Sequence, residues 1–423
     1  MRPANVHESL ASSDAARSRR VGWSFVASYA AAYLATSLVF IAPLLVTLAL
    51  KVNALVGTDR GADSLSLVAS VGSFVALVAN PLFGRLSDRT TSRYGRRRPW
   101  LLIGLVGGTS GIVVVATADA VWQVLLGWCV AQLFFNALLA ALVAVLPDQV
   151  PPEQRGTVAG VLGVCLPLAS VGGTYVVNVF SGHELAMFLA PCVIGGFFIV
   201  VFALVLDDRR LEPTDRPAWS LRQLVSTYYV SPHRYPDFAW AFVSRFLFVL
   251  AYAFLVTYQA FYLLEHLGST TAEVPHQIFL GTLVQAAVVV TAALVGGRLS
   301  DLTGRRKPFV VAASTVYGVA LVVVAVAAGF DGYLVGMAIA GLGFGLYQAV
   351  DLALVADVLP ETGDAAKDLG VLNIAGALPF SLAPALAPAI LAVGAGSYRV
   401  LYVVAGLCAV LGAAAILPVR RVR

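Results

Sequence analysis

The sequence predicts an all-α membrane protein with twelve transmembrane helices in two pseudo-symmetric six-helix bundles. Three observations lead to this fold class: a composition with little charge, a series of unbroken apolar runs, and two motifs that recur at one spacing. Of the 423 residues, 59% are hydrophobic and 12% are charged. An average soluble protein carries about 25% charged residues, so this chain has too little polar surface to face water and lipid must surround most of it.

The apolar runs have the length and continuity of membrane-spanning helices. Only helices and closed β-barrels satisfy their backbone polar groups inside a bilayer, and barrel strands alternate apolar and polar residues. Runs such as 101–118 and 310–329 are continuously apolar and long enough to cross a core of ~30 Å as helices. Spans 1 to 12 are predicted at 22–49, 64–86, 100–118, 122–146, 156–180, 185–206, 237–264, 277–299, 308–329, 333–358, 367–394 and 398–418.

The predicted spans divide the chain into two bundles, a linker and two tails. The first apolar run extends well beyond the roughly 7–15-residue apolar core of a signal peptide, so we expect it to be retained as the first helix. The linker is rich in charged residues and proline. The segments are a cytoplasmic tail at 1–21, a first bundle at 22–206, a cytoplasmic linker at 207–236, a second bundle at 237–418 and a cytoplasmic tail at 419–423.

Two motifs recur at the same distance and indicate an internal duplication. The segment Gly-Arg-Leu-Ser-Asp at 84–88 returns at 297–301, and Val-Leu-Pro at 145–147 returns at 358–360, both with an offset of 213 residues. A shared offset of about half the chain length is the signature of a repeat. Six helices per repeat is an even number, so both copies face the same way, as in parallel repeats about an axis along the membrane normal.

The distribution of basic residues predicts the orientation of the chain. Of the 28 lysine and arginine residues, 24 lie in loops, tails and helix ends on the side of the N-terminus, three lie on the other side, and Arg245 lies within a span. Cytoplasmic loops carry the excess of basic residues. We therefore expect both termini in the cytoplasm of a multi-pass plasma-membrane protein, with a bacterial inner membrane as the setting.

The loop after span 2 carries the pattern G-x-L-x-D-R followed by G-R-R, and a compact copy follows span 8. This pattern resembles the loop between helices 2 and 3 of the major facilitator superfamily. The longer first copy, which ends in Arg98 and Pro99, resembles that of the glycoside–pentoside–hexuronide cation symporters and the sucrose-type carriers. The motif residues are Gly84, Asp88, Arg89, Gly95, Arg96 and Arg97 in the first copy and Gly297, Asp301, Gly304, Arg305 and Arg306 in the second.

The resemblance implies a secondary transporter that works by alternating access, and we expect proton-coupled movement of a small polar solute such as a sugar or glycoside. Two alternatives stay open: a proton-driven exporter of drugs or lipophilic metabolites, and a transport-inactive membrane sensor. We do not expect an enzyme, because the sequence has no H-E-x-x-H motif. A G-x-x-x-x-G-K-[ST] loop is also missing, which argues against ATP-driven pumping.

The two motif copies are expected to form a conformational latch on the cytoplasmic side. Glycine at 84 and 297 would allow neighbouring helices to approach closely, and Asp88 would accept hydrogen bonds from arginine side chains or from a helix N-terminus. Such a cluster would hold the two bundles together when the protein faces outward. The alternative is that the arginines only set the topology, which would not explain the duplicated glycine and aspartate positions.

Two ionisable residues lie deep within predicted spans, where charge is costly and marks function. Arg245 is about eight residues inside span 7 and Asp351 about eight residues from the end of span 10, so both lie ~12 Å from the cytoplasmic edge. Equal depth and opposite charge predict an ion pair. It would either couple solute movement to proton uptake by Asp351 or serve as a permanent structural pair.

Other polar residues within the spans are predicted to line a substrate path. The resemblance places helices 1, 4, 7 and 10 around a central cavity, and neutral hydrogen-bonding groups with aromatic rings suit polyhydroxylated solutes. The predicted path residues, besides the charged pair, are Tyr252, Gln259, Gln348, Tyr29, Tyr33, Gln132, Asn136 and Asn178.

The first bundle shows no carboxylate on spans 2 and 4, where the cation symporters that it resembles carry acidic residues. A hard cation prefers several oxygen ligands that include carboxylates, so sodium coupling is not expected and a proton gradient is. We expect no cofactor and no metal ion. The expected partners are the lipid bilayer and a small-molecule solute, without nucleic acid, and the expected state is a monomer.

Overall fold

The computed structural model describes residues 20–208, 210–211, 235–358 and 365–419. Within these ranges the chain is helical apart from short turns and contains no strand. The described part has thirteen α-helices and two π-helical turns, the latter at Pro43–Thr47 and Tyr262–His266. The α-helices are α1 Trp23–Ala42, α2 Leu48–Asp88, α3 Arg98–Ala116, α4 Val121–Gln149, α5 Pro152–Val179, α6 Glu184–Val205, α7 Pro236–Phe261, α8 Val274–Thr303, α9 Lys307–Val326, α10 Phe330–Val358, α11 Ala365–Ala377, α12 Pro379–Val393 and α13 Tyr398–Ala415.

The described helices include 11 stretches that are long and apolar enough to cross a membrane, and the first of these contains two spans. This stretch, Trp23–Asp88, has 66 residues, about three times what one crossing needs. It is interrupted at Gly57, whose φ of 72° lies in the left-handed region that glycine adopts without steric cost. The count is therefore twelve spans, as the sequence predicts.

Contacts with α4 show that the two parts of this stretch run in opposite directions. As span 1 proceeds, its contacts move backwards along α4, and as span 2 proceeds, its contacts move forwards. The contacts are Tyr29 with Leu142 and Phe40 with Phe135 for span 1, and Gly72 with Trp128 and Gly84 with Ala140 for span 2.

Span 1 extends beyond its predicted end at residue 49, which changes the environment of Lys51. The sequence places Lys51 in a loop, whereas the helix continues to Gly57 and buries the side chain, which is 7% exposed. Its ammonium group donates to the carbonyl of Ala116 at 3.0 Å and lies 2.8 Å from the carboxylate of Glu184. These two partners compensate the buried charge and tie span 1 to the neighbouring helix ends.

Span 11 consists of two helices, α11 and α12, instead of the single predicted helix at 367–394. The break lies at Pro379, which has no N–H to donate to the carbonyl of Ala375 four residues earlier. The new helix begins at this proline, where the missing N–H carries no penalty.

The helix contacts repeat between the two halves. In the first bundle α4 packs on α2 and α3, and α1 packs on α5 and α6. In the second bundle α10 packs on α8 and α9, and α7 packs on α12 and α13. The two bundles meet where α2 contacts α12 and where α5 contacts α8. These equivalent contacts define two pseudo-symmetric six-helix bundles, as the sequence predicts.

Both bundles carry their arginine-rich loops on one face, which we call the arginine-rich face; we call the other the opposite face. The ends of the described chain also lie on the arginine-rich face. The backbone N–H of Val21 donates to Gln154 at 2.8 Å, and Lys307 donates to the carbonyl of Val419 at 3.0 Å. Both partners, Gln154 and Lys307, lie in the first turn of a helix, α5 and α9 respectively, at the arginine-rich face.

Helices α3 and α4 pack with their backbones in close contact, and this contact requires glycine. A Cβ at Gly111 would lie 2.4 Å from the backbone nitrogen of Ala131 and 2.6 Å from the carbonyl oxygen of Gly127. Backbone atoms cannot move aside as a flexible side chain can. Small residues at such contacts permit the dense packing that holds membrane helices together.

We predict that Gly111→Ala destabilises the protein by about 1–3 kcal/mol, the usual cost of overpacking, because α3 and α4 must separate. The measurement is the melting temperature of the purified protein in detergent. Gly163→Ala is the matched control, since a Cβ at Gly163 meets no atom within 4 Å. Equal melting temperatures for the two variants would show that the helix contact is looser than described.

Candidate functional site

The two bundles are closed against each other near the opposite face. The hydroxyls of Ser66 in span 2 and Tyr258 in span 7 are 2.5 Å apart, and the Tyr258 hydroxyl also lies 3.3 Å from the carbonyl oxygen of Pro384 in α12. Next to them, the ring of Phe261 fills the space that a side chain at Gly61 would occupy. These contacts join the two bundles on this face.

A cavity of about 620 Å³ lies between the bundles on the other side of this closure, toward the arginine-rich face. Its walls come from spans 1, 2 and 4 of the first bundle and from span 11 of the second. The lining residues are Phe40, Leu44, Ser73, Ala76, Leu77, Asn80, Pro81, Arg85, Gln132, Asn136, Leu139, Asn373, Ile374, Gly376, Ala377 and Phe380. The described conformation thus presents its cavity toward the arginine-rich face.

The polar part of the cavity wall is a chain of carboxamides. The amide of Asn136 donates to the carbonyl of Gln132 at 2.8 Å and to its side-chain oxygen at 3.2 Å. Asn80 in turn donates to the side-chain oxygen of Asn136 at 3.3 Å. Because each carboxamide has two donors and an acceptor with two lone pairs, the chain keeps hydrogen-bonding capacity for a solute.

The structure places two predicted path residues, Gln132 and Asn136, on the cavity wall. It adds Asn80, Asn373 and Arg85, which the sequence reasoning did not select. A signal was available for the asparagines, because polar side chains within apolar spans are rare and mark functional positions.

The structure brings Arg245 of span 7 and Asp351 of span 10 together. A guanidinium nitrogen of Arg245, Nη1, lies 2.8 Å from a carboxylate oxygen of Asp351. The side chain of Tyr347, one helical turn before Asp351, also interacts with the carboxylate, and its ring stacks on Phe248 with centroids 3.8 Å apart. The pair lies behind span 11, next to Gly376 of the cavity wall.

The other predicted path residues of the second bundle lie apart from the large cavity. Tyr252 and Gln348 line a separate, small cavity of about 30 Å³ with residues of α5 and α8, and Tyr252 stacks on Phe344. Gln259 is buried near the opposite face, where its side-chain oxygen accepts a hydrogen bond from Tyr333 at 3.2 Å. In this conformation span 11, rather than spans 7 and 10, supplies the cavity wall of the second bundle.

Three predicted path residues of the first bundle also lie off the described cavity wall. Tyr29 is buried, stacks on Phe202 and donates its hydroxyl to the carbonyl of Leu142 at 2.9 Å. Tyr33 packs against the buried apolar core of the first bundle, to which Tyr29 also belongs. Asn178 lies at the end of α5 near the opposite face, partly buried.

The first copy of the loop motif forms an ionic cluster within the first bundle. The Arg97 side chain donates to Asp148 at 2.8 Å, to Asp88 at 2.5 Å and to the hydroxyl of Ser87 at 2.5 Å, and Arg96 also pairs with Asp148 at 2.5 Å. Burial by itself lowers the pKa of Arg97, but the two carboxylates outweigh it and raise the pKa above its usual value. The contacts described for this cluster all lie within the first bundle.

A third carboxylate, that of Asp208, explains the glycine at position 95. Asp208 accepts hydrogen bonds from the backbone N–H groups of Arg97 and Arg98, each at 2.7 Å, at the start of α3. A negative charge at a helix N-terminus is favourable. Gly95 has a φ of 98°, and a Cβ there would lie 2.3 Å from the Asp208 carboxylate. No other residue fits at this position without strain.

The glycines at 84 and 297 do not need to be glycine for packing. A Cβ at Gly84 would lie 4.0 Å from Ala140 and one at Gly297 would lie 3.8 Å from Ala349, both ordinary contact distances. The expectation that these positions require close helix approach is therefore wrong for this conformation. The reason is that small residues, Ala140 and Ala349, already face them from the neighbouring helix.

The second copy of the loop motif is only partly described. Gly304 ends α8 with a φ of 61°, the left-handed conformation that glycine commonly adopts after a helix. Arg306 precedes the start of α9, as Arg97 precedes that of α3, and Arg305 is exposed; in the first copy, Arg89 follows the end of α2. The side chain of Asp301 lies outside the described residues.

The fold and the cavity define the chain as a polytopic α-helical membrane protein whose two six-helix bundles enclose a central cavity. The model of the Major Facilitator Superfamily matches residues 25–290 and 275–423. The chain belongs to the major facilitator superfamily. The family and the fold are those of membrane transporters.

Curated relatives match parts of the chain. The class E tetracycline resistance protein of Escherichia coli is 28% identical over 183 residues, which are 40% of this chain and 44% of that protein. Multidrug resistance protein 3 of Bacillus subtilis (strain 168) is 32% identical over 133 residues, 29% of this chain and 24% of that protein. Sucrose transport protein SUC4 of Arabidopsis thaliana is 40% identical over 58 residues, 14% of this chain and 11% of that protein. The chain therefore matches less than half the length of each of these relatives.

Two solved structures share the fold over nearly the whole chain. A mutant of the nucleoside transporter NupG has a TM-score of 0.74 at 12% identity, covering 93% of this chain and 99% of that chain. The human organic anion transporter MFSD10 (TETRAN) has a TM-score of 0.66 at 17% identity, covering 92% of this chain and 98% of that chain. At these identities the likeness concerns the fold.

We predict that Tyr258→Phe shifts the protein toward a conformation that is open at the opposite face. The substitution removes the hydroxyl that joins the two bundles and leaves the ring in place. The measurement uses a single cysteine at Ser73 of the cavity wall, in a background without the four native cysteines. A membrane-impermeant maleimide is added at the opposite face of oriented vesicles, and we expect its labelling rate to increase several-fold.

Tyr262→Phe is the matched control, because the Tyr262 hydroxyl donates to the carbonyl of Val324 at 2.6 Å within the second bundle. Its loss lowers stability by about 1 kcal/mol without changing the labelling rate. If both variants changed the labelling rate equally, the Tyr258 hydroxyl would not be the contact that keeps this face closed.

Proposed function

We propose that the protein is a proton-coupled transporter of a small polar solute such as a sugar or glycoside. The observation that carries this proposal is the cavity between the bundles, with its chain of carboxamides formed by Asn80, Gln132 and Asn136. Carboxamides both donate and accept hydrogen bonds, as hydroxyl groups do, and the rings of Phe40 and Phe380 in the same wall offer apolar faces to a sugar ring.

We propose further that the arginine-rich face is cytoplasmic, so both termini are cytoplasmic and the described conformation faces inward. The excess of basic residues on this face supports the assignment. A plasma membrane, specifically a bacterial inner membrane, would be the setting. The cavity is enclosed by the two bundles of one chain, which supports a monomer as the transport unit.

The proposed site of proton coupling is the Arg245–Asp351 pair. A neutral Asp351 would release Arg245, and an ionised Asp351 would hold it. The titratable and charged groups that act on this carboxylate are Arg245 from span 7 and Tyr347 from its own helix. Their different bonding in the two protonation states would link the proton to the packing of spans 7, 10 and 11 around the cavity.

Export of drugs or lipophilic metabolites is the second candidate function. It is supported by the largely apolar remainder of the cavity wall, which includes Leu44, Leu77 and Leu139, and by relatives described as tetracycline and multidrug resistance proteins. A transport-inactive sensor is the third reading, and an absence of all transport would favour it.

We predict that the purified protein in proteoliposomes accumulates sugars or glycosides when a pH gradient is imposed, and that replacing sodium by potassium has no effect. Asp351→Asn should keep solute exchange but reduce gradient-driven accumulation at least tenfold, because the coupling carboxylate is lost. Asp119→Asn, at an exposed position on the opposite face, is the matched control and should behave as wild type.

Proton-driven efflux of hydrophobic dyes without sugar uptake would replace the first candidate by the second. Equal loss of folding and of all transport in Asp351→Asn would contradict the coupling role and indicate a structural pair. Folding is monitored independently by the melting temperature of each variant.

The latch remains a proposal for the state that faces outward. We predict that Asp88→Asn slows transport several-fold. The free energy of unfolding should change by no more than ~1 kcal/mol, because Arg97 retains its ion pair with Asp148 and the Asp88 carboxylate is about half exposed. Asp331→Asn, exposed on the opposite face, is the control. An unchanged transport rate in properly inserted Asp88→Asn would refute the latch.

A further inference from the structure

The closed contact on the opposite face runs along two antiparallel helices, one from each bundle. Span 2 leads away from this face and span 7 leads toward it. The hydroxyls of Ser66 and Tyr258 meet at 2.5 Å. Farther out, the ring of Phe261 lies where a Cβ of Gly61 would be placed, so the two helices stay in contact toward the surface.

The outer end of this contact brings together two carboxylates from different bundles. Asp59 lies seven residues before Ser66, and Glu265 lies seven residues after Tyr258. Seven residues are about two helical turns, so each carboxylate lies outward of the hydroxyl contact on a similar face of its helix. The negative charge of Asp59 acts on Glu265 across the interface, and both residues are exposed to solvent.

The charged and titratable groups around Glu265 leave the two carboxylates without a cationic partner. From α13, the Tyr398 hydroxyl donates to Glu265 at 3.2 Å, and Arg399 donates to Nε2 of His266 at 3.4 Å. Within the part of the chain that the structure describes, neither Asp59 nor Glu265 forms an ion pair.

Two further charges lie close to Asp59 along the chain. Arg60 is exposed and forms no ion pair among the described residues. Asp63 is also exposed and adds a third negative charge, which acts on Tyr258 and Tyr398 of the second bundle. The closed contact is therefore rimmed by acidic groups from both bundles.

Like charges that face each other across a contact oppose its closure. A proton on either carboxylate removes the repulsion and supplies a hydrogen-bond donor between the two groups. Opening this face would separate the bundles and, with them, the two charges. The closed form therefore binds a proton more readily than the open form, and by linkage acid on this side favours closure.

We propose that Asp59 and Glu265 form a pH-sensitive switch that closes the opposite face when the solution on that side is acidic. Acid there then favours the described conformation, whose cavity is presented toward the arginine-rich face. The inference goes beyond the proposed function, because it concerns the equilibrium between conformations. It requires neither a particular solute nor the coupling role of Asp351.

The test follows closure of the opposite face by the distance between two spin labels on the full-length protein in lipid nanodiscs. The labels are placed at Thr117 of the first bundle and Ala272 of the second, both exposed on this face, in a background without the four native cysteines. The measurement is made at low ionic strength, where exposed charges interact most strongly. We expect the ratio of closed to open protein to rise about two- to fivefold from neutral to acidic pH, the range typical of exposed charge pairs.

Asp59→Asn and Glu265→Gln each remove one member of the pair and should abolish this rise. Because both remove the same repulsion, the double variant should behave as either single variant does. Asp59→Lys should reverse the sign of the response, because its ammonium group attracts ionised Glu265 at neutral pH and loses that attraction in acid. Asp331→Asn, exposed on the same face, is the matched control and should respond as wild type does.

A second background separates the switch from the proposed coupling site. The distances are measured again in Asp351→Asn, where the coupling carboxylate no longer titrates. A pH response that persists there, and that Asp59→Asn removes, belongs to the switch. The melting temperature of each variant shows that it is folded, and the comparison of Asp59→Asn with Asp331→Asn in the wild-type background decides the matter independently.

The inference is overturned if the wild-type distances do not respond to pH, if Asp59→Asn and Glu265→Gln keep the full response, or if Asp59→Lys responds as wild type does. Failure of the proposed function has a different signature. It would appear as an absence of pH-driven transport in proteoliposomes, while the distances still respond to pH through Asp59 and Glu265.

Discussion

A bilayer core offers no water to an unpaired backbone N–H or C=O, and the rest of the structure depends on this constraint. It explains why all described spans are helical and why their irregular positions are few. Two of these positions border the cavity: the π turn Pro43–Thr47, whose Leu44 lines it, and the break at Pro379, next to Phe380 of its wall. The third, the π turn Tyr262–His266, follows Tyr258 and packs within the second bundle. Departures from regular helix geometry are often functional.

The same low-dielectric environment makes the buried charges costly. Burying an ion costs several kcal/mol even after relaxation, and breaking a buried pair costs about 3–5 kcal/mol. Arg245 and Asp351 are held within hydrogen-bonding distance, with Tyr347 as a third partner, yet the Nε of Arg245 is left unsatisfied. In the proposed coupling role, this pair breaks and re-forms as Asp351 gains and loses a proton.

Sequence reasoning predicted features that depend on local pattern and on membrane depth: the twelve helices, the duplicated bundle and the meeting of Arg245 with Asp351. It did not predict contacts between residues that are far apart in the sequence. Asp148 and Asp208, which bind the loop arginines, are 51 and 111 residues from Arg97, and no periodicity links such positions. Lys51 was placed in a loop because a charge usually ends a span, although a helical turn and two partners bury it. The cavity wall was expected from spans 1, 4, 7 and 10, whereas spans 1, 2, 4 and 11 line it in the described conformation.

In the proposed transport cycle one cavity opens alternately to the two faces, and distances between spin labels test this most directly. Labels at the exposed positions Thr58 and Thr270 report on the opposite face, and labels at Thr91 and Thr303 report on the arginine-rich face. The measurement is made in membranes, with a bound solute and at varied pH. The account predicts that the distance between the labels at Thr58 and Thr270 lengthens as the distance between those at Thr91 and Thr303 shortens. Distances that stay fixed, or that lengthen and shorten together, would contradict it.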